Sequence, residues 1–193
     1  MKKFIIYLLS IGIFGVASIA NSQTIRIGTE GAYPPWNNLN SAGELEGAEI
    51  DFGNEACERM GVTCEWVTQD WDGIIPALLQ GKYDIIIAGM SITEERKEKV
   101  NFTTGYMTDG ARFAVLKNSG LANLNIAGMA KVNLNNAGGK EQAAIGQLIA
   151  AMDGKTVCVQ SSTIHQNFLE KHMSGAVDVK LYVFNLLQFI RIF

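Results

Sequence analysis

The chain has 193 residues, 48% of them hydrophobic and 18% charged, with a formal net charge of -3. That length suits one good domain or two small ones. Lys and Arg are scattered along it, not clustered, which argues against a nucleic-acid surface and a nucleic-acid partner.

Residues 1–22 read as a cleavable export leader. Lys2 and Lys3 form a positive start, Phe4 to Val16 is an apolar run, and Ser18 with Ala20 gives a small-x-small cleavage site, with Ala20/Ser22 close behind. The apolar run is shorter than the roughly 20 residues a membrane span needs. No cysteine stands at the cleavage point, which argues against a lipid-anchored start. Removing the leader takes the net charge from -3 to -5.

Thr24 to Thr29 alternates as a first strand. Glu30 to Asn40 is a loop, because Pro34 and Pro35 bar helix and central strand there. Glu49 to Met60 carries Ile50, Phe52, Ala56 and Met60 between acids and predicts an amphipathic helix with Gly61 just past its end. Val62 to Val67 is a second strand. Asp72 to Gln80 is a helix with Ile74, Ile75, Leu78 and Leu79 inward, and Asp84 to Ala88 is a third strand. This β-α-β-α-β order argues for a mostly parallel α/β sheet with helices on its faces. Glu94 to Lys99 reads as one helical turn and Arg112 to Lys117 as another strand. Residues 118–139, rich in Asn, Gly and Ala, read as a surface excursion or lobe junction. Lys140 to Met152 is a helix, Lys155 to Val159 a strand, Ile164 to Met173 a helix, and Val177 to Val183 a last strand. An apolar tail, Phe184 to Phe193, follows.

In an exported protein Cys57 and Cys64 read as a small disulfide staple, with two buried thiols as the alternative. Chain entropy puts such a short loop at roughly 2–2.5 kcal/mol. Cys158 sits in an apolar strand pattern and is expected to be buried. His165 and His172 read as two solvated side chains on one helix face, and no spacing resembles a metal site.

Two segments offer carboxylate-binding chemistry. Arg96 follows the hydroxyls of Ser91 and Thr93 in a loop leaving a buried strand, where open α/β sheets place ligands; an arginine fork beside hydroxyls suits a carboxylate. Ser162 and Thr163 precede a helix and supply a cap and free N–H groups. Each alone is more often a solvated charge or a plain cap; together they suggest a ligand gripped across a cleft. Tyr33 and Trp71 add aromatic walls near strand ends, and Glu30 is an acid at the cleft edge suited to a cationic ligand group. No nucleophile, metal-protease or phosphate-loop motif is present, which favours binding over turnover.

Several stretches together resemble the periplasmic amino-acid-binding proteins of ABC importers. They are Ile27-Gly28-Thr29-Glu30 with Tyr33-Pro34-Pro35-Trp36, Ile50 to Glu55 leading to Cys57 and Cys64, Trp71 to Pro76, Met90 to Thr93 through Arg96, and Val159 to Thr163. The resemblance is greatest to the lysine/arginine/ornithine- and histidine-binding group with the opine binders, within extracellular solute-binding protein family 3. It spans residues 24–182 and implies a type II periplasmic-binding-protein fold, α/β, with two lobes around a cleft and the second incomplete. The first lobe would run over 23–113, part of the second over 114–183, and 184–193 would be an aberrant tail. It further implies a periplasmic protein that binds arginine, lysine, ornithine, histidine or an opine, needs no cofactor, and delivers its ligand to an inner-membrane ABC permease. By matching position Arg96 would hold the ligand α-carboxylate with Ser91 and Thr163. Backbone groups near Ala88, Gly89 and Ser162 would add hydrogen bonds. Tyr33 and Trp71 would sandwich the side chain, Glu30 would meet its cationic end, and Cys57 would pair with Cys64. Ala88 and Gly89 stand where the resembling proteins commonly carry hydroxyls, which leaves room for a longer ligand or another cationic amino acid. A dehydratase-like enzyme on the same fold, with Glu30 as its acid or base, and a non-functional fragment are the competing expectations.

Overall fold

The structure, a computed structural model, describes residues 23–124, 126 and 138–183. The expected leader, most of the Asn/Gly-rich stretch and the tail from 184 lie outside the described residues. No described helix is long and apolar enough to cross a membrane.

Strand β1 (Thr24–Thr29) is the centre of a parallel three-stranded sheet in the order β5-β1-β6, with β5 at Thr63–Thr68 and β6 at Ile85–Ile86. Ile27 stands opposite both Trp66 and Ile85. Successive residues of a strand face opposite sides, and the apolar clusters divide accordingly. On one side Ile27, Trp66 and Ile87 pack with Cys57 of helix α1 (Ala48–Met60). On the other Val67, Ile86 and Ala88 pack with Tyr83 and with Ile74 and Ala77 of helix α2 (Ile74–Leu79). Burying an isoleucine such as Ile27 or Ile74 contributes roughly 1.5–3 kcal/mol. Gly28 is required by this packing: a Cβ there would lie 2.5 Å from the Tyr83 ring. Arg26 donates to Asp84 from its main-chain N–H and its guanidinium, holding that carboxyl below its ordinary range at the open edge of the sheet.

Helix α1 turns a different face inward than its large apolar residues suggest. Glu49, Ile50, Gly53 and Cys57 are buried, whereas Phe52 and Met60 are exposed. The buried set follows the i, i+4, i+8 row with its neighbour at i+1, one helical stripe. Gly53 lets the Trp66 ring lie against the helix, since a Cβ would sit 2.6 Å from it. Phe52 instead stacks on Tyr106 at 5.5 Å between centroids. The expected helix over Asp72 to Gln80 is divided into one 3-10 turn, Trp71–Gly73, and α2. Leu79, expected inward, is exposed, because a helix of this length offers the sheet only Ile74 and Ala77 squarely. The expected loop Glu30 to Asn40 instead holds two short strands, β2 (Ala32–Tyr33) and β3 (Asn37–Leu39), which form an antiparallel ribbon with β4 (Leu45–Glu46) just beyond it, both prolines lying in the first turn.

After α3 (Glu94–Lys97) the segment 101–116 has neither helix nor strand. The strand expected over Arg112 to Lys117 is therefore not formed. Those residues are exposed and find no strand to pair with among the described residues, and a strand without a ladder leaves its backbone groups to water. A second apolar cluster gathers Met152 of α4 (Gly139–Met152), Val157 of β7 (Thr156–Gln160), Leu169 of α5 (Ile164–His172), Met173 and Val177. Strand β8 (Asp178–Tyr182) pairs with β7 in parallel. This ribbon is covered on one side only, so Cys158, on the face opposite Val157, is exposed and not buried as expected. His165 is exposed, and His172 is half-buried with its ring 5.2 Å from that of Phe168. Cys57 and Cys64 form the disulfide.

Candidate functional site

The residues singled out from the sequence gather where β1, β6 and β7 end. Thr93 caps α3, its hydroxyl accepting the Arg96 N–H at 3.2 Å. That one turn aims the Arg96 side chain back toward the β6 exit. Arg96 Nη1 donates to the Ser91 carbonyl at 2.8 Å, and Nη2 to the Ser162 carbonyl at 3.0 Å. The guanidinium carbon lies 5.3 Å above the centre of the Trp71 ring, a cation-π arrangement. Arg96 is half-buried, its pKa is lowered by burial, and no carboxylate pairs with it among the described residues. A desolvated guanidinium satisfied only by neutral carbonyls is set to gain from an anion.

Three consecutive residues of the β7 exit reach the other side. Gln160 donates from Nε2 to Glu30 at 2.7 Å, and the Ser161 hydroxyl donates to the Asp72 carboxylate at 2.8 and 2.9 Å. The Ser162 carbonyl accepts from Arg96 and also from Trp71 Nε1 at 3.0 Å. Thr163 is buried and caps α5, accepting the Gln166 N–H while donating to the Gln160 carbonyl. The Ser162 N–H is taken by Gln166 Oε1 at 2.7 Å. Burial pushes the Glu30 carboxyl up to about 6, against the lowering effect of Gln160.

Tyr33 stands on β2, partly exposed, with its hydroxyl donating to Asp109 at 3.2 Å. Its ring packs beside Gly89, where a Cβ would be 3.0 Å from the ring and the φ of +59° already favours glycine. Ala88 is buried in the core beneath. The Gly89 N–H donates to Glu49 at 2.7 Å.

Glu49 was not singled out by its sequence. It is 2% exposed and accepts from Gly89, from Asn37 Nδ2 at 2.6 Å and from the Tyr106 hydroxyl. Asn37 in turn accepts the Gly31 N–H at 2.8 Å. This chain of bonds ties the loop bearing Glu30 and Tyr33 to the loop bearing Gly89 and Ser91. In the sequence Glu49 is one of several acids on an amphipathic helix, and only its place one residue before Ile50 hints at burial. Asp72 and Gln160 also carry no local signal, since their partners Ser161 and Glu30 lie 89 and 130 positions away along the chain.

A cavity of about 600 Å³ opens against Trp71, Arg96 and Ser162, floored by Ile75, Leu79 and Met90. Its volume and mixed lining suit a small molecule with a charged group. Glu30 and Tyr33 do not line it.

A family model described as bacterial extracellular solute-binding proteins, family 3, matches residues 25–179. The octopine-binding periplasmic protein of Rhizobium meliloti is 44% identical over 163 residues, covering 84% of this chain and 55% of its own length. A periplasmic His/Glu/Gln/Arg/opine family-binding protein from Silicibacter pomeroyi, solved with lysine, shares 35% identity at a TM-score of 0.59, covering 86% of this chain and 61% of that one. An ancestral amino acid-binding protein described as a precursor of cyclohexadienyl dehydratase shares 30% identity at a TM-score of 0.67, covering 87% of this chain and 65% of that one. The chain spans about half the length of the curated relatives it matches.

Proposed function

The chain belongs to the bacterial extracellular solute-binding proteins of family 3, and we propose that it binds a cationic amino acid or an opine in the periplasm for import by an ABC permease. The observation that carries this reading is Arg96: a half-buried guanidinium with no carboxylate partner among the described residues, beside Ser91, Trp71 and Ser162. A ligand α-carboxylate supplies the missing charge. In this reading Ser91 and Thr163 flank that carboxylate, and backbone groups near Ala88, Gly89 and Ser162 turn to it when the ligand enters. Tyr33 and Trp71 offer aromatic surface to the ligand side chain. Glu30 faces its cationic end, where a positive charge lowers the cost of holding a half-buried carboxylate. Residues 23–113 form the first lobe in this reading and 114–183 belong to the second, so the ligand bridges the two. The relatives whose names state octopine, arginine, lysine/arginine/ornithine and histidine binding support the ligand class. The family is one of solute-binding proteins, and the proposal is binding without turnover.

Calorimetry on the full chain with arginine, lysine, ornithine, histidine and octopine tests it. At least one ligand should bind at micromolar concentration or below, and Arg96→Ala should weaken that binding by about 100-fold, the scale of a lost charge-assisted pair. No heat with any of the five would refute the proposal.

A further inference from the structure

We propose that the indole N–H of Trp71 is a second donor to the ligand carboxylate, sharing one of its oxygens with Arg96. The inference rests on the reading above, that an α-carboxylate is what Arg96 holds. It assigns the edge of Trp71 a role distinct from that of its face.

The two donors already converge on one atom. Trp71 Nε1 and Arg96 Nη2 both donate to the Ser162 carbonyl oxygen at 3.0 Å. Indole and guanidinium are donors only, so an oxygen placed between them meets two N–H groups and a full positive charge. A carboxylate oxygen answers that arrangement better than a peptide carbonyl does. The ring face is engaged by the Arg96 guanidinium 5.3 Å above it, which fixes the indole plane and aims its N–H. The carbonyl in place now is presented by an unusual residue. Ser162, at φ 58°, is the sole non-glycine with positive φ among the described residues, a conformation that side-chain-bearing residues disfavour. The cavity of about 600 Å³ reaches these same three residues, so a ligand entering it arrives at the shared oxygen position. A ligand carboxylate displaces the Ser162 carbonyl and takes both donors.

The test compares wild type with Trp71→Phe, which keeps an aromatic ring and removes the N–H. The probes are L-arginine and agmatine, which lacks the carboxyl group and so offers the indole N–H no acceptor there. Calorimetry should show arginine bound about tenfold more weakly by the variant, the scale of one hydrogen bond to a charged group, and agmatine weakened far less, by about twofold, the share of the smaller ring face. In the 15N-labelled wild type the indole N–H resonance absent from the variant should shift on titration with arginine and saturate with the calorimetric affinity. Thermal melting of the ligand-free variant establishes that it is folded, and the resonance reads the same contact in a chain that carries no substitution. Arginine affinity unchanged by Trp71→Phe, an equal loss for both probes, or an indole resonance unmoved by bound arginine would each overturn the inference and leave the proposed function standing. A wild-type chain that binds none of the five ligands overturns both.

Discussion

Replacing Glu49 with alanine should cost this protein about 3–4 kcal/mol of stability. The carboxylate is 2% exposed and Asn37 is fully buried. The substitution leaves Asn37 Nδ2 and the Gly89 N–H, bonded at 2.6 and 2.7 Å, without an acceptor. A buried donor stripped of its partner costs about 1–3 kcal/mol, and two of them give roughly 2–6 kcal/mol. The Tyr106 hydroxyl belongs to a half-exposed side chain that water can serve, so it adds little. Removing a buried acid also removes its own desolvation cost, which places the net near the middle of that range. For a chain of this size each kcal/mol moves the melting point by about 2–4 °C, so Glu49→Ala should melt roughly 10 °C early. Glu49→Gln keeps one oxygen but turns an NH2 group toward existing donors, and should lose about half as much. The assay is circular dichroism against temperature and urea on ligand-free protein. A Glu49→Ala variant within about 0.5 kcal/mol of wild type, the scatter of ordinary surface changes, would refute the reasoning.

Further outcomes follow from single contacts. Folded Glu30 holds its proton up to about pH 6, above the ordinary carboxyl range, so the native state binds more protons in that window and stability falls as pH rises through it. Glu30→Gln should therefore be more stable than wild type by about 1 kcal/mol at pH 7.5, after discounting for partial exposure, with the gap closing at pH 4; urea melts at both pH values check this. For the same reason arginine affinity should rise from pH 5 to pH 7 as Glu30 ionises, which calorimetry across that range reads directly. Gly28→Ala drives a methyl group to 2.5 Å from the buried Tyr83 ring and should destabilise by about 1–3 kcal/mol, partly recovered when Tyr83→Leu is added. Serine at both Cys57 and Cys64 opens the short staple and should lower stability by about 2.5 kcal/mol in urea.

Much of the molecule was legible in its residues because it rests on neighbours in sequence. Thr24 to Thr29 alternates and lies at the sheet centre; Gly61 follows α1 at φ 67°; Thr163 caps α5. Thr93 holds the turn that carries Arg96. Strand alternation, helix caps and tight turns span only a few positions, so residue type and spacing reveal them. Where local pattern misled, a tertiary choice had intervened. Phe52 and Met60 face outward because the stripe of Glu49, Ile50, Gly53 and Cys57 meets the sheet, and Cys158 is exposed because its ribbon is covered on one side.

The site divides the same way. The hydroxyls before Arg96 and the place of Glu30 just after a strand raised the expectation of a carboxylate at one and a cation at the other. Only the folded chain brought Ser162, sixty-six positions later in the sequence, to the Arg96 guanidinium, and set Trp71 edge-on to the same oxygen. It alone placed Glu49 between Asn37 and the Gly89 N–H. Such bonds form between groups distant along the chain, and their geometry is decided by how sheets and helices pack, not by any spacing of letters.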